Sequence, residues 1–404
     1  MKVLQIHNEY MSGRGGEDTV LDAEFELMRN HGHNVYQWKE NTGGLKNASP
    51  LRKLLALMGF IWSTGSYSKA KKIINEIHPD VIHVHNFFPL LSPSILWAAK
   101  VAGVPVVMTL HNYRLICPNA MLLRDGKPCE LCVGHLPFAA IKHNCKYAES
   151  FTITIFIIAS QLFHRALKTF NRKVDSIIVL SDFAKSVFAR TYLPVTNLFV
   201  KPNFISDICV PDMSGNRKHK VVFVGRIQSH KGVDLLINAW MQMDPGDYKL
   251  IIIGDGPDRS KLEELSKNCE NIEWLGFIPH DEVRSLLNES QFLVLPSRWY
   301  EGFPMVILEA FASKIPVVIP NHGPFLNIVE DNVTGYFFNS GDNDSLKSKL
   351  EQVVRLSHEE WLVMSESAYN QYLNHYTSEI NYKQLMAIYE SAISRSNNAG
   401  SGSV

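Results

Sequence analysis

Two glutamates, Glu301 and Glu309, stand on either side of a turn in the second half of the chain. The apolar run 292–297 before them predicts a strand, and residues 304–312 predict a helix. Pro304 suits the first helical turn, where its missing N–H costs nothing, and Gly302 lets the backbone come close to a ligand. The carboxylates and the helix start can therefore contact one bound molecule.

The start of this helix is predicted to bind an anion. The N–H groups of Phe303, Met305 and Val306 have no acceptor within the helix, and a phosphate is a natural ligand of such groups. Carboxylates beside a phosphate suit the hydroxyl groups of the same ligand, so the stretch favours a nucleotide sugar. The alternative is an ordinary strand–turn–helix with solvated glutamates, because a fold does not by itself determine a function.

Two cations precede this stretch in the sequence. Arg226 follows Gly225 at the end of a predicted strand, and Lys231 stands before Gly232 at the start of the next helix. A guanidinium fork and an ammonium group placed at one strand end can neutralise a diphosphate. The alternative is a solvated loop, in which isolated Arg and Lys residues are common.

The N-terminal half contains a glycine-rich turn and two histidines at predicted strand ends. A turn over residues 12–18, with Gly15 and Gly16, is predicted between a strand and a helix that begins at about Thr19, and its N–H groups suit phosphate or sugar. His85 and His111 end two further predicted strands, where ligands bind in doubly wound sheets. We interpret His111 as functional and leave the role of His85 open.

Strands alternate with helices along both halves, which indicates parallel βαβ units. We expect an α/β protein with an N-terminal Rossmann-like domain over residues 1–205 and a second one over residues 206–375. A helix over residues 376–393 is expected to pack back on the first domain, and a tail over residues 394–404 to be flexible.

The motif Glu301-x7-Glu309, with Gly302, Phe303 and Pro304 inside it, resembles that of the retaining glycosyltransferases of family 4, and the likeness covers nearly the whole chain. Arg226 and Lys231 are similar to the donor-phosphate pair of that family. His111 matches a histidine that approaches the donor sugar. The resemblance implies the GT-B architecture, in which two doubly wound Rossmann-like domains face a central cleft.

The resemblance also implies roles for these residues. Glu301 would face the donor sugar, Glu309 would hold the ribose hydroxyls, and Gly15 and Gly16 would lie over the donor. The two cations and the helix start would take the charge of the departing diphosphate; the residues concerned are Arg226, Lys231, Gly302, Phe303, Pro304, Met305 and Val306.

The implied activity is transfer from a UDP- or GDP-sugar, with retention and without a metal in the chemistry, to a glycan acceptor that is lipid-linked. The pathway would be the biosynthesis of cell-surface polysaccharide or glycolipid, such as lipopolysaccharide. Three alternatives are a nucleotide-sugar epimerase, a sugar phosphorylase, whose usual pyridoxal-phosphate lysine we do not recognise here, and a non-catalytic nucleotide-sugar-binding module.

Charge is unevenly distributed along the chain. Residues 1–205 contain 23 Lys and Arg against 14 Asp and Glu, a net +9, and the remaining residues carry a net −9. Two segments combine basic with large apolar residues: 51–72, which belongs to a helix predicted as far as Ile74, and 150–173. Such a composition suits contact with an anionic membrane surface, and the alternative is an ordinary solvated face.

No apolar run reaches the ~18 residues that span a bilayer. The start of the chain reads as a strand and not as a signal peptide. We expect a cytoplasmic protein without a nucleic-acid partner. Peripheral docking on the inner face of the membrane is a further hypothesis.

Four of the six cysteines fall within a short insertion over residues 114–149: Cys117, Cys129, Cys132 and Cys145. A Cys-x2-Cys pair with two outer cysteines is compatible with a tetrahedral structural zinc, which could stabilise a segment poor in apolar residues. Free thiols are the alternative, and disulfides are disfavoured in a reducing compartment.

If these cysteines bind zinc, the purified protein will contain about one zinc per chain by elemental analysis, as one four-cysteine site requires. Brief chelation will leave activity intact unless the insertion unfolds, because the metal would be structural. A folded and fully active preparation without zinc would exclude the site.

Overall fold

The computed structural model describes residues 1–9, 15–45, 49, 56–206, 217 and 219–401. The chain divides into two compact units. Unit 1 comprises Met1–Leu122, Cys129–Asn203 and Ser378–Val404, and unit 2 comprises Leu123–Pro128 and Phe204–Thr377. Each unit contains one parallel six-stranded sheet, which confirms the predicted pair of doubly wound α/β domains.

The sheet of unit 1 has the strand order β2-β1-β3-β4-β7-β8. Its central strands are buried on both faces, as expected for a parallel sheet covered by helices. The strands are β1 (Lys2–Glu9), β2 (Asn34–Asn41), β3 (Val81–Val84), β4 (Val106–Leu110), β7 (Ser176–Val179) and β8 (Leu198–Val200); β5 (Leu123–Arg124) and β6 (Lys127–Pro128) form a separate antiparallel pair.

The helices that belong to unit 1 connect these strands. They are α1 (Gly16–Asn30), α2 (Thr64–Ile77), α3 (Ser94–Val101), α4 (Phe138–Lys142), α5 (Phe151–Ala166), α6 (Thr169–Lys173) and α7 (Asp182–Ala189). None of the helices in the described part of the chain is long and apolar enough to cross a bilayer.

Three details of unit 1 differ from the sequence prediction. The strand β7 is not the last of this sheet, because β8 pairs beside it. The helix predicted from Leu51 to Ile74 is not continuous: residues 56–59 are helical, residues 60–63 are not, and α2 begins after Ser63, whose Oγ accepts a hydrogen bond from the Ser66 N–H. Residues 50–55 lie outside the described residues.

The third difference lies at the glycine-rich turn, of which residues 10–14 are outside the described ranges. The helix α1 begins at Gly16 and not at about Thr19. The cap is formed by Asp18, whose Oδ2 accepts a hydrogen bond from the Gly15 N–H at 2.8 Å, so glycines that were predicted as loop belong to the helix start.

The sheet of unit 2 has the order β11-β10-β9-β12-β13-β14. Its strands are β9 (Lys220–Val224), β10 (Lys249–Ile253), β11 (Ile272–Gly276), β12 (Phe292–Val294), β13 (Val317–Pro320) and β14 (Gly335–Phe338). Its helices are α8 (Val233–Met241), α9 (Arg259–Ser266), α10 (His280–Glu289), α11 (Met305–Ala312), α12 (Phe325–Ile328), α13 (Asn343–Arg355) and α14 (His358–His375). The predicted end of α11 at Ala312 is confirmed, whereas β14 was not predicted.

The last helix, α15 (Ser378–Ser401), belongs to unit 1 and packs on its sheet. Leu385 and Tyr389 are fully buried in one core cluster with Val3 and Val107, at the centre of that sheet. The tail that was predicted to be flexible from residue 394 is helical as far as Ser401, and residues 402–404 lie outside the described residues.

One ion pair lies in the interior of unit 1. Lys201 Nζ donates to Glu24 Oε1 at 2.6 Å, and both side chains are only 1% exposed. Lys201 also donates to Asn381 Oδ1 on α15 at 3.2 Å. Burial alone raises the pKa of Glu24, but Lys201 and His85 outweigh this effect and hold the pKa below its ordinary value. The carboxylate is therefore ionised at neutral pH.

Replacing Lys201 by methionine will lower the free energy of unfolding by about 3–5 kcal/mol, because it leaves the Glu24 carboxylate buried without its cation. The control is the same change at Lys72, whose exposed pair with Glu76 contributes at most about 1 kcal/mol. Urea unfolding of both variants measures the difference. Equal losses would show that burial does not distinguish the two pairs.

Candidate functional site

Glu301 of unit 2 is a buried carboxylate that accepts three hydrogen bonds on one oxygen. Its Oε1 accepts from Lys231 Nζ at 2.6 Å, Ser297 Oγ at 2.6 Å and Trp299 Nε1 at 3.0 Å. Its other oxygen, Oε2, has no hydrogen bond to any residue that the structure describes. The structure thus brings together two residues predicted from the sequence, Lys231 and Glu301, and leaves one carboxylate oxygen for a ligand.

The charge of Glu301 depends on Lys231. Burial alone raises the pKa of Glu301, but the Lys231 ammonium, followed by the Ser297 hydroxyl, lowers it below the ordinary value. The stabilisation from this pair is therefore complete above the ordinary carboxyl pKa and is lost as the pH falls through the lowered one. At neutral pH the site holds an ionised carboxylate.

The loop that carries Lys231 is held close to the end of β12. Gly232 follows Lys231 with φ +72°, and a Cβ at this position would lie 2.0 Å from the Pro296 carbonyl oxygen. Arg298 fixes the same loop, because its guanidinium donates two bonds of 2.8 Å to Asp234 and its N–H donates to the His230 carbonyl. Only glycine allows this approach of the two backbones.

Arg226 lies in the same unit, directly after β9. Its side chain is exposed, and among the residues that the structure describes it forms no ion pair. It contributes to the lowered pKa of His230, after burial and Lys231, so its charge is close to the Lys231 loop. An exposed guanidinium beside a partly exposed ammonium can bind a diphosphate.

The start of α11 has the predicted orphan donors, with two corrections. Pro304 is the N-cap with φ −75°, so the first helical residue is Met305, and no side chain caps this end. Ile307 N–H donates to the Pro304 carbonyl at 3.1 Å, whereas the N–H groups of Met305 and Val306 have no acceptor within the described ranges. The Phe303 side chain is buried and 5.9 Å from the Tyr376 ring, so only its backbone could reach a ligand.

Glu309 lies about one turn after Met305 on α11 and has a different partner. His280 Nε2 lies 3.1 Å from Glu309 Oε1, and this hydrogen bond is the main cause that raises the pKa of His280. Among the described residues, no hydrogen bond connects Glu309 to the Glu301–Lys231 pair. A ribose that binds Glu309 would share this carboxylate with His280 or displace the His280 side chain from it.

His111 of unit 1 follows β4 and is bonded to His85. His111 Nε2 lies 3.1 Å from His85 Nδ1, and the two rings are stacked with centroids 5.4 Å apart. Burial lowers the pKa of His111 to about 3, and it lowers that of His85 well below the ordinary value, so both rings are neutral at physiological pH. The structure thus places His85, whose role was left open, in contact with the predicted site residue His111.

Gly15 and Gly16 stand at the start of α1, and Asp18 joins them to β1. Asp18 Oδ1 accepts a hydrogen bond from His7 Nε2 at 2.7 Å, while its Oδ2 holds the Gly15 N–H. The contact between His7 and Asp18 was not predicted from the sequence. The signals for it are a histidine near the end of the first predicted strand and an acidic residue directly before the predicted helix start.

One group of potential metal ligands exists in unit 1. Among the described residues, only Glu24, His83 and His85 place three candidate ligand atoms within 4.8 Å of one another. Glu24 Oε1 already accepts a hydrogen bond from Lys201 Nζ. The two ring nitrogens of His83 contact the hydroxyls of Tyr389 at 2.8 Å and Thr109 at 2.7 Å. The group therefore suits a hydrogen-bonded core and not a cation.

The four cysteines of the insertion form no disulfide with any described residue, and they do not form such a group within the described ranges. Burial raises the pKa of Cys117 to about 12 and that of Cys132 to about 11, so these thiols are neutral. Zinc would have to displace their protons and draw the four sulfurs together. Zinc binding by Cys117, Cys129, Cys132 and Cys145 stays a prediction.

Two family profiles match the chain, one on each side of residues 207–213. Residues 14–207 match "Glycosyltransferase Family 4" and residues 213–371 match "Glycosyl transferases group 1". An uncharacterized glycosyltransferase of Methanocaldococcus jannaschii is 26% identical over 337 residues, which is 83% of this chain and 81% of that protein.

Solved structures share the fold along nearly the whole chain. HepE of Anabaena, solved in complex with UDP, aligns with a TM-score of 0.66 and 17% identity over 97% of this chain and 100% of that one. The lipopolysaccharide outer core galactosyltransferase WaaB aligns with a TM-score of 0.65 and 19% identity, over 97% and 99% of the two chains.

Proposed function

Because this chain belongs to the glycosyltransferases with the GT-B fold, we propose that it moves a hexose from a nucleotide sugar to a glycan hydroxyl with retention of the anomeric configuration. The bond between the anomeric carbon and the diphosphate breaks, and the acceptor oxygen bonds to the same face of that carbon. The proton of the acceptor hydroxyl leaves with the diphosphate. The donor is a UDP-sugar or a GDP-sugar, and the solved UDP complex of the similar protein HepE favours uridine.

The observation that carries this proposal is the contact between Lys231 and Glu301. The Lys231 side chain is 19% exposed and the Glu301 side chain 7% exposed, so the lysine can turn towards a ligand while the carboxylate stays in place. An arriving diphosphate would attract Lys231 and the exposed Arg226. The uncapped start of α11 would add two N–H donors to the leaving group.

Glu301 would contact the sugar and Glu309 the ribose in this proposal. The Oε2 atom of Glu301 suits a sugar hydroxyl, because an ionised carboxylate accepts but cannot donate hydrogen bonds. His111 would accept or donate a further bond to the sugar. None of these steps requires a metal ion, since the leaving group is neutralised by side chains and by backbone N–H groups.

The proposal is tested in two stages with the full chain. Thermal-shift measurements with UDP-, GDP-, ADP- and dTDP-sugars identify the nucleotide, because a ligand that binds only the folded state raises Tm. NMR analysis of the product then reports the anomeric configuration. An inverted product would contradict retention, and release of free nucleotide without a glycoside would contradict transfer.

Two variants test the residue roles. Glu309→Ala will weaken donor binding by about 1.5–3 kcal/mol, since the ribose loses a charged acceptor, whereas the exposed Glu264→Ala serves as a matched control without effect. Glu301→Gln will lower turnover more than nucleotide affinity. Calorimetry and steady-state rates measure both, and unchanged values in the two variants would remove these glutamates from the site.

The acceptor is a lipid-linked glycan in this proposal, so the enzyme would dock on a membrane surface as it builds cell-surface polysaccharide. Support comes from two helices of unit 1 with exposed apolar side chains. Phe138 and Ile141 on α4 are 53% and 43% exposed, and Ile155 and Phe163 on α5 are 38% and 39% exposed. The opposite side of α5 is anchored, because Ile157 and Ile158 are buried.

The basic residues predicted for docking are partly neutralised. Lys69 donates to Glu40, and Lys72 lies 3.8 Å from Glu76, although all three lysines of the cluster Lys69, Lys71 and Lys72 are exposed. Arg52 and Lys53 lie outside the described residues. The apolar side chains of α4 and α5 would therefore contribute more to docking than the α2 lysines do.

Vesicle co-sedimentation tests this docking. The chain will bind anionic vesicles at low salt and less at high salt, since each basic residue near an anionic surface contributes roughly 1 kcal/mol. Phe138→Ser with Ile141→Ser will reduce binding more than joint neutralisation of Lys69, Lys71 and Lys72. Equal recovery with neutral and anionic vesicles at low salt would exclude the electrostatic contribution.

A further inference from the structure

Behind His111 lies a row of buried side chains that leads to the Glu24–Lys201 pair. His111 Nε2 contacts His85 Nδ1 at 3.1 Å, and the other nitrogen of that ring, His85 Nε2, lies 3.5 Å from Glu24 Oε2. Glu24 Oε1 accepts from Lys201. The row therefore connects a buried cation to the ring that the proposed function places at a sugar.

Two buried atoms, Glu24 Oε2 and His85 Nε2, stand in the middle of this row. His83 Nδ1 also lies 3.7 Å from Glu24 Oε2, but its hydrogen bond is to the Tyr389 hydroxyl at 2.8 Å. Both Glu24 Oε2 and His85 Nε2 are buried and lack a hydrogen bond at the present geometry, yet they face each other. An ionised carboxylate only accepts hydrogen bonds, so the proton of the neutral His85 ring is favoured on Nε2. The opposite arrangement would place two lone pairs against each other in the interior.

The position of this proton determines that of the next one. With its proton on Nε2, His85 presents a bare Nδ1 to His111, and the hydrogen bond of 3.1 Å then requires a proton on His111 Nε2. The remaining nitrogen of His111, Nδ1, is left as an acceptor. It has no hydrogen bond to any of the described residues, and the His111 side chain is partly exposed.

We propose that Glu24 is a positioning residue that acts through His85 to hold His111 in the Nε2–H tautomer, so that His111 Nδ1 accepts a hydrogen bond from a sugar hydroxyl. An acceptor-only nitrogen favours a hydroxyl or an amine at that position of the sugar and disfavours a carboxylate. The inference rests on the proposed function for the contact with sugar, whereas the tautomer itself is a property of the free protein.

Nuclear magnetic resonance of histidine-labelled protein tests the tautomer without any substrate. Long-range ¹H–¹⁵N correlation distinguishes a protonated from a bare ring nitrogen, and loss of one set of signals in His111→Gln assigns the ring. We expect His111 with a protonated Nε2 and a bare Nδ1 at neutral pH. A protonated Nδ1 in the wild-type protein would overturn the proposal.

The change Glu24→Gln tests the cause. In this variant Lys201 donates to the amide oxygen of the new side chain, so its NH2 group faces His85 Nε2 and donates a hydrogen bond to it. The proton of His85 then lies on Nδ1 and is donated to His111 Nε2. The proton of His111 will therefore lie on Nδ1. The matched control is Tyr389→Phe, which removes the hydroxyl 2.8 Å from His83 Nδ1 in the same buried cluster and will leave the His111 tautomer unchanged. An unchanged tautomer in Glu24→Gln would overturn the proposal.

If Glu24→Gln does not fold, the double variant Glu24→Leu with Lys201→Met replaces it, because removing both charges avoids an unpaired one. Nothing then orients His85, so the His111 signals will report a mixture of tautomers; a single Nε2–H tautomer would overturn the proposal.

Activity provides the second readout. In Glu24→Gln, kcat will fall by about 10- to 100-fold, as expected for an unsatisfied polar contact, with nucleotide affinity nearly unchanged. A reversed tautomer with full activity would refute the sugar contact alone. Absence of any transferase activity in the wild-type protein would refute the proposed function and leave the tautomer result intact.

Discussion

The structure of unit 1 depends on one buried ion pair, Glu24 with Lys201. Removing two charges from water is costly, and the cost is offset only where the geometry is close and further hydrogen bonds are present. Here the distance is 2.6 Å, and Asn381 supplies an additional acceptor. The pair joins α1, the end of β8 and α15, which are distant in sequence, and its charge also orients the histidines at the ends of β3 and β4.

Unit 2 contains a second lysine–carboxylate pair of the same length but with a different exposure. Lys231 is 19% exposed, whereas Lys201 is 1% exposed. The interior lysine has no alternative partner from solvent, so its pair maintains the fold. The lysine of unit 2 can exchange its carboxylate for an incoming anion, and the same interaction there becomes part of a binding site. The two pairs have the same distance and differ in exposure, and this difference supports the proposed binding role of the pair in unit 2.

Much of this arrangement follows from local sequence patterns. Buried parallel strands such as β4 and β10 are continuous apolar runs, and Lys231 and Glu301 were predicted together because both follow such runs. Short elements were missed: β8 has three residues, and β14 begins with a glycine that weakens the strand pattern. The roles of the site residues stay predictions, since the fold alone does not assign them.

The side-chain network of unit 1 could not be predicted from the sequence. Glu24 and Lys201 are 177 residues apart, and a glutamate within a helix normally indicates a solvated face. His85 and His111 could be placed at strand ends, but their contact depends on the order of the strands in the sheet. Only the folded chain shows that these side chains share one buried row.

The helix α15 has a consequence for the way the chain is synthesised. It supplies Leu385 and Tyr389 to the core around Val3, so during translation the core beside β1 stays incomplete until α15 has been synthesised. Most residues of unit 2 stand between β1 and α15 in the sequence and form their own sheet, so unit 2 can finish folding before unit 1 does. Unit 2 can therefore mature before unit 1 during translation, and the apolar residues of unit 1 that α15 covers stay exposed to solvent in the interval.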